Sequence, residues 1–230
     1  MPNNTVTLAD LVSQVRQRAD MESSSFVTDA EIRIWINSAL AELHDLMVMA
    51  FEDYYVEEHT PYALPGTGSF DLPNDFYKAL GVDFTSGGIT TTVRPYAFAE
   101  RNMYRSNAAL VSGGIGAVRY SIQGNKIKFL PEGTPSGTAV LHYIPECQQF
   151  ADGEDDTELQ SKAKSAAIGY QDYLVVSAAV KCAMKEESDV KMLMIEKGDL
   201  RQRIERAATT KDAGSPHRIV DSSVGVRALF

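Results

Sequence analysis

The residues of this chain that could perform chemistry are few and widely spaced. Histidine and cysteine are the first candidates for metal ligands or nucleophiles, and the chain contains His44, His59, His142, His217, Cys147 and Cys182. No pair of histidines has the H-x-x-x-H or H-E-x-x-H spacing, and no cysteine stands at a zinc-ligand spacing. The sequence therefore predicts no metal and no cofactor, and we interpret His44 as a packed or surface residue of a helix.

An acidic segment is the second candidate, because calcium prefers carboxylate oxygens as ligands. It contains Asp152, Glu154, Asp155 and Asp156. The segment lacks the D-x-[DN]-x-[DN]-G order of a calcium-binding loop and its distant glutamate. We therefore interpret it as a solvated acidic loop.

Three further patterns could bind phosphate or supply a nucleophile. The glycine run at 113–116 is not followed by Lys-Ser or Lys-Thr, so it is not a P-loop. Ser112, Ser121 and Ser136 lack the Gly-x-Ser-x-Gly elbow, although a triad assembled in space stays open. An arginine group could meet phosphate, but interspersed acids favour a solvated helix face with internal ion pairs: Arg201, Arg203 and Arg206, with Glu196, Asp199 and Glu205. With no catalytic set, we predict that the protein is not an enzyme.

Composition narrows the class of protein. The chain has 230 residues and a formal net charge of −9, which disfavours wrapping nucleic acid, because phosphate binding needs clustered lysine and arginine. Hydrophobic residues make up 44%, enough for a sizeable core. No apolar run reaches the ~20 residues of a membrane-spanning helix, and no signal-peptide pattern is visible. Two cysteines make no disulfide framework, which favours folding in the cytosol.

Two amphipathic helices are predicted in the first 53 residues. Thr7 with Asp10, and Thr28 with Glu31, have the spacing of a capping box at a helix start. The second helix carries a wide apolar arc, which indicates burial on more than one side. Its main stripe consists of Ile32, Ile36, Leu40, Leu43 and Met47.

The middle of the chain is rich in predicted strands. We expect strands at 69–73, 77–84 and 138–144, and a hairpin that joins 119–122 to 126–129 across Gly124 and Asn125. A short helix is expected within 94–106, with Phe98, Met103 and Tyr104 as its apolar residues. Turns at this spacing predict a small antiparallel sheet or a sandwich.

Helical periodicity returns from Tyr170 to about Lys211, interrupted by a polar joint at 186–189. The last helix has apolar residues at helical spacing: Met192, Leu193, Ile195, Leu200 and Ile204. Gly198 lies inside this helix, where glycine costs about 1 kcal/mol relative to alanine. We therefore expect a close packing contact at Gly198.

The last residues of the chain lack helical periodicity but are too apolar for an ordinary disordered end. The residues that suggest recognition are Arg218, Ile219, Val220, Val224, Val226, Leu229 and Phe230. We expect this segment to become ordered against a partner, for example by adding a strand to its sheet. A frayed terminus is the alternative.

Together these elements predict an α+β fold. Residues 1–53 and 166–212 would form the two halves of one helical bundle. Residues 54–165 would form an inserted antiparallel β-rich region, and residues 213–230 an extended C-terminal tail.

The order of these segments resembles the head-to-tail adaptor, or connector, proteins of tailed bacteriophages. The matching stretches are 7–20, 26–46, the Phe-Asp-Leu-Pro-Asn-Asp-Phe-Tyr run at 70–77, and 170–214. Within the last stretch, the Asp-Tyr-Leu-Val-Val run at 172–176 and the Lys-Glu-Glu-Ser-Asp-Val run at 185–190 carry the likeness.

The resemblance implies a structural virion protein that forms a ring, commonly dodecameric, beneath the portal protein. Such a ring extends the DNA channel and offers a platform to tail or neck proteins, with roles in genome packaging and ejection. The tail of the chain would dock on the portal, and the acidic loop could line the channel, through which DNA passes without specific binding. The implied location is the virion neck, after assembly in the host cytoplasm and without a membrane.

Two alternatives stay open. The chain could be another neck, tail-completion or minor virion protein, which the copy number in purified particles would reveal. It could also be an α+β enzyme or a small-ligand-binding protein, for which a ligand thermal-shift screen would show a specific stabiliser.

Overall fold

The structure is a computed structural model that describes residues 7–22, 26–51, 55–64, 68–106, 118–132, 136–150 and 169–209. The helices within these ranges are α1 (Leu8–Arg18), α2 (Asp29–Ala50), α3 (Arg101–Ser106), α4 (Gln171–Lys185) and α5 (Lys191–Thr209). The strands are β1 (Glu57–Glu58), β2 (Tyr62–Leu64), β3 (Ser69–Asp71), β4 (Phe76–Ser86), β5 (Ile89–Pro95), β6 (Arg119–Gln123), β7 (Lys126–Leu130) and β8 (Gly137–Pro145). The predicted α+β class is confirmed.

Both predicted capping boxes are present at the starts of α1 and α2. The Thr7 hydroxyl accepts a hydrogen bond from the Asp10 backbone N–H at 3.0 Å, and the Asp10 carboxylate accepts one from the Thr7 N–H at 3.2 Å. Thr28 and Glu31 make the same reciprocal pair at 3.3 and 3.0 Å. Each box satisfies backbone donors that the first helical turn leaves without an intrahelical partner.

The helical body is built around α4, which packs against α1, α2 and α5. The whole predicted stripe of α2 is buried, and so are residues beside it, including Ala39, His44 and Val48. The wide apolar arc is therefore confirmed. On α4, Tyr173, Leu174 and Ala178 are fully buried in the same core.

The strands form one mixed sheet in the order β1-β8-β4-β5-β6-β7-β3, with β2 also paired to β8. The predicted hairpin is β6–β7, and Gly124 at its turn has φ +60°. A second core lies on this sheet and includes Val82, Phe84, Ile127 and Leu141.

Three features of the middle of the chain differ from the sequence-based expectations. Strand β5 was not predicted, and the helix expected within 94–106 is shorter, because α3 begins only at Arg101 after a 3-10 turn at Phe98–Glu100. The β-branched run of β5 favours a strand once β4 is beside it. In addition, β5 and β6 pair in parallel at Arg94–Arg119 and Pro95–Tyr120. The connection that contains α3 returns the chain to the same end of the sheet, which a parallel pair requires.

The sheet is joined to the helical body along one side of α2. Ile144 of β8 lies in the helical core, and the Cys147 thiol lies 3.7 Å from the Leu40 carbonyl oxygen. The buried Asn37 side chain exchanges two hydrogen bonds with the backbone of Phe150, at 3.0 and 2.8 Å. These contacts fix the segment that leaves β8 against the middle of α2.

The expected close contact at Gly198 is wrong. A Cβ atom built on Gly198 would meet no atom within 4 Å. The glycine therefore costs helix stability without allowing a close approach within the protomer.

Gly198→Ala is expected to stabilise the isolated protein by about 1 kcal/mol, because alanine has the better helix propensity and restricts the unfolded chain. Urea unfolding followed by circular dichroism measures the change. Gly87→Ala is the control, since its Cβ also meets open space but its φ is +58°. That conformation costs an L-residue roughly 1–2 kcal/mol, so the control should lose stability. A less stable Gly198→Ala variant would contradict the prediction.

Candidate assembly surfaces

The site residues predicted from the sequence lie outside the described residues. They are the tail residues Arg218, Ile219, Val220, Val224, Val226, Leu229 and Phe230, and the acidic-loop residues Asp152, Glu154, Asp155 and Asp156. Their roles stay predictions.

His44 is a packing residue of the junction between α2 and the sheet. Its ring stacks on Tyr55, with centroids 5.1 Å apart, and meets Tyr77 edge-on at 5.4 Å. Burial lowers the pKa of His44, so the neutral imidazole is the form that fits this site. Among the described residues, no group of three or more His, Cys, Asp or Glu side chains is arranged to hold a metal ion.

The cysteines are free thiols. Cys182 is buried in the helical core, and burial raises its pKa to about 11. The reactive form of cysteine is the thiolate, so this thiol is suited to packing.

Only some of the ion pairs predicted for the solvated face of α5 are present. The Arg201 guanidinium donates to the Glu205 carboxylate at 2.9 Å, one helical turn away. Glu196 instead pairs with Arg18 of α1, and this pair ties the two helices together.

Two lysines bind α2 to the C-terminal helices. The Lys185 ammonium lies 2.6 Å from the Glu31 carboxylate and donates to the Phe26 carbonyl oxygen at 3.0 Å. Hydrogen bonds from Lys185 and then from Thr28 lower the pKa of Glu31 to about 2. Lys197 pairs with Glu42 at 2.8 Å. The start of α2 is thus held beside the end of α4.

A cleft of about 430 Å³ lies between α1, α4 and α5. Its lining combines two valines with polar side chains: Gln14, Gln17, Arg18, Asp172, Val175, Val176 and Glu196. This lining contains no histidine, cysteine or serine. Its acidic side chains are Asp172 and Glu196, and Glu196 is paired with Arg18.

Large apolar side chains are exposed in the half of the helical body where α2 and α5 begin and α4 ends. We call this set, whose members are distributed around this end of the body, the distal patch: Phe26, Ile34, Met184, Met192, Met194 and Ile195. Met192 is 76% exposed and Phe26 is 58% exposed. The loops at the same end carry exposed acidic residues, which we call the acidic rim: Asp20, Glu22, Glu186, Glu187 and Asp189. An apolar surface with a charged rim is typical of a protein–protein contact.

A second exposed surface lies on the sheet around α3. We call it the arginine patch: the exposed residues Arg94, Phe98, Arg101, Met103 and Arg105, and the half-buried Arg119. The Arg101 guanidinium lies over the Phe98 ring, 4.2 Å from its centroid, and Arg119 lies 5.6 Å from the Tyr104 centroid. Phe98 is 61% exposed and Met103 52%. Arginine, aromatic residues and methionine are the residues enriched in interface cores.

Sequence reasoning missed both patches because it treated their apolar residues as core. Phe98 and Met103 were expected to be the apolar side of a helix, and Met192 and Ile195 continue the periodicity of the last helix. Periodicity alone does not separate a stripe that faces the core from one that faces solvent. The usable signal was the composition of 98–105, in which phenylalanine and methionine alternate with two arginines.

No helix in the described ranges combines the length and the apolar character that crossing a membrane requires.

Comparison with known proteins identifies the class of protein to which this chain belongs. A comparison with curated proteins finds no match. The SU10 adaptor protein family matches residues 6–220, which include the helical body and the sheet. The match confirms the resemblance to phage adaptors and supports a structural role in the virion. The chain therefore belongs to the SU10 adaptor protein family.

Proposed function

We propose that this protein is a head-to-tail adaptor that forms a ring, expected to be a dodecamer, under the portal protein of a tailed phage. The observation that carries the proposal is the family match over residues 6–220. The ring extends the DNA channel during genome packaging and ejection and offers a platform to tail or neck proteins. It lies in the virion neck after assembly in the host cytoplasm.

Exposed apolar surface on the folded protomer supports assembly. The distal patch and the arginine patch together leave eight large apolar side chains in solvent, namely Phe26, Ile34, Phe98, Met103, Met184, Met192, Met194 and Ile195. Monomeric proteins rarely keep large contiguous apolar patches exposed. A protomer with such surfaces is suited to contact other virion proteins.

The C-terminal residues 213–230 are the proposed portal-docking segment. Their apolar residues, from Ile219 to Phe230, would become ordered only on meeting the portal, which makes assembly sequential. The acidic residues 152–156 would face the channel, where like charge keeps DNA from adhering. We also propose that the chain divides near residues 53, 165 and 212, with 54–165 inserted into the helical body.

Reconstitution with the portal protein of the same phage tests this function. Negative-stain microscopy of the mixture should show rings of this protein on the portal, and a chain that lacks residues 215–230 should lose portal binding. The control is Ile89→Ser, which removes one exposed apolar residue of β5 outside the tail and should bind normally. Absence of rings with the full chain would overturn the adaptor function. Portal binding by the truncated chain would overturn only the role of the tail.

A further inference from the structure

We propose that neighbouring copies of this chain contact each other head to tail, with the distal patch of one copy on the arginine patch of the next. This inference rests on the ring proposed above, because it names the surfaces that close it. The occupant of each patch is therefore a second copy of the same chain.

The distal patch combines exposed apolar side chains with the acidic rim of the adjacent loops. Three of its six apolar residues are methionines, and methionine adapts its shape to a partner surface. At this end Lys185 pairs with Glu31 and Arg16 pairs with Asp29, while Lys191 adds one exposed positive charge beside Met192. Glu186 and Glu187 stand exposed in the turn between α4 and α5. The rim thus keeps an excess of negative charge.

The arginine patch has the opposite charge. Arg94 and Arg119 are direct neighbours across the parallel β5–β6 pair, and like charges at such a position destabilise a sheet. Arg101 and Arg105 project from α3 beside them, and Arg105 meets Glu132 at 3.6 Å. Four arginines gather here in a chain whose net charge is −9. Arg101, Arg105 and Arg119 also make contacts within the protomer. The acidic neighbours Glu100 and Glu132 offset only part of the charge, so a positive excess remains.

The two patches are complementary in their apolar side chains and in their charge. Each presents exposed phenylalanine and methionine, and the acidic rim of one faces the arginines of the other. Both surfaces occur on the same chain but on different elements, so one copy can use both at once. Such a heterologous contact builds a ring when its rotation closes. Complementary charge also fixes the register and disfavours contact between two like patches.

Charge reversal tests the proposal in the purified full-length protein. Sedimentation velocity across a concentration series in low salt should show that the wild type associates, and that high salt weakens the association. Glu186→Lys/Glu187→Lys and Arg101→Glu/Arg105→Glu should each weaken self-association by at least about tenfold, because like charges then meet. All four positions are exposed, and circular dichroism verifies that the variants fold.

Mixing the two variants gives the sharper result. The Arg101→Glu/Arg105→Glu chain keeps its distal patch, and the Glu186→Lys/Glu187→Lys chain keeps its arginine patch. In an equimolar mixture both junctions between unlike chains are complementary, because the reversed patches of the two variants also carry opposite charges. Mixing should therefore restore growth into oligomers of alternating chains, whereas each variant alone stays dissociated. In a chain with all four substitutions the charges of the distal patch and the arginine patch are exchanged, so this chain should regain self-association. The control is Glu57→Lys/Glu58→Lys on β1, outside both patches. It changes the net charge of the chain as much as Glu186→Lys/Glu187→Lys does and should associate like the wild type.

Three outcomes would overturn the proposal. A wild type that stays monomeric at every concentration in low salt removes the interface, and the portal experiment then decides the adaptor function separately. Reversals that leave self-association unchanged show that the copies use other surfaces. Reversals that leave self-association intact but abolish portal binding show that a different protein occupies the patches.

Discussion

Gly137→Ala is expected to destabilise the protein by about 3 kcal/mol, the largest effect of any glycine substitution in the described chain. A Cβ at this position would lie 2.3 Å from the Thr85 carbonyl oxygen and 2.7 Å from a ring carbon of Phe84. Thr85 is backbone of the neighbouring strand and Phe84 is fully buried, so neither can move away cheaply. Overpacking of this kind typically costs 1–3 kcal/mol and occasionally more.

The effect should reach the whole sheet, because Gly137 begins β8, the strand that pairs with β1, β2 and β4. Equilibrium urea unfolding measures it. Gly81→Ala is the matched control in the adjacent strand β4, since its Cβ would meet nothing within 4 Å. That variant should be as stable as the wild type or slightly more stable. A Gly137→Ala chain that unfolds at the urea concentration of the wild type would contradict the close contact.

Asn37→Leu is expected to destabilise the protein by about 3 kcal/mol through the loss of two buried hydrogen bonds. The Asn37 amide nitrogen donates to the Phe150 carbonyl at 3.0 Å, and its oxygen accepts from the Phe150 N–H at 2.8 Å. Leucine fills a similar volume but leaves both backbone groups of Phe150 without these partners. A buried polar group that loses its partner costs about 1–3 kcal/mol.

Ser38→Ala is the control for Asn37→Leu on the next residue of α2. The Ser38 hydroxyl also accepts one hydrogen bond, from Lys181 at 2.7 Å, but in an exposed setting, where water replaces the lost partner. We expect its effect to stay within about 0.5 kcal/mol. Equal loss of stability in both variants would show that burial at Asn37 does not set the cost. Because this contact joins α2 to the segment after β8, hydrogen exchange at the junction should rise in Asn37→Leu alone.

The helix starts and the hairpin could be predicted because their signals are local. A capping box needs only the residues from Thr28 to Glu31, and the β6–β7 hairpin needs only alternation on both sides of Gly124. Tyr120 and Phe129 then face the same core, as their spacing indicates. The family resemblance followed from the same kind of information, the order of such segments along the chain.

Other features depend on neighbours that lie far away in the sequence. Strand β5 forms because β4 supplies a partner for its threonines, and its parallel pairing with β6 depends on the path through α3. Whether Met192 of the last helix is core or surface depends on the side on which α4 packs. Gly198 shows the same limit, since only the tertiary structure reveals open space beside it.

The sequence by itself therefore determined the α+β class, the helix boundaries set by caps and the family of phage adaptors, because short-range chemistry and segment order carry that information. Only the tertiary structure decided which apolar residues stay exposed. Exposure is a property of the packed arrangement, since one side chain is buried or free according to what other segments leave uncovered. The distal and arginine patches, which now carry the proposal for how copies meet, became visible at that level alone.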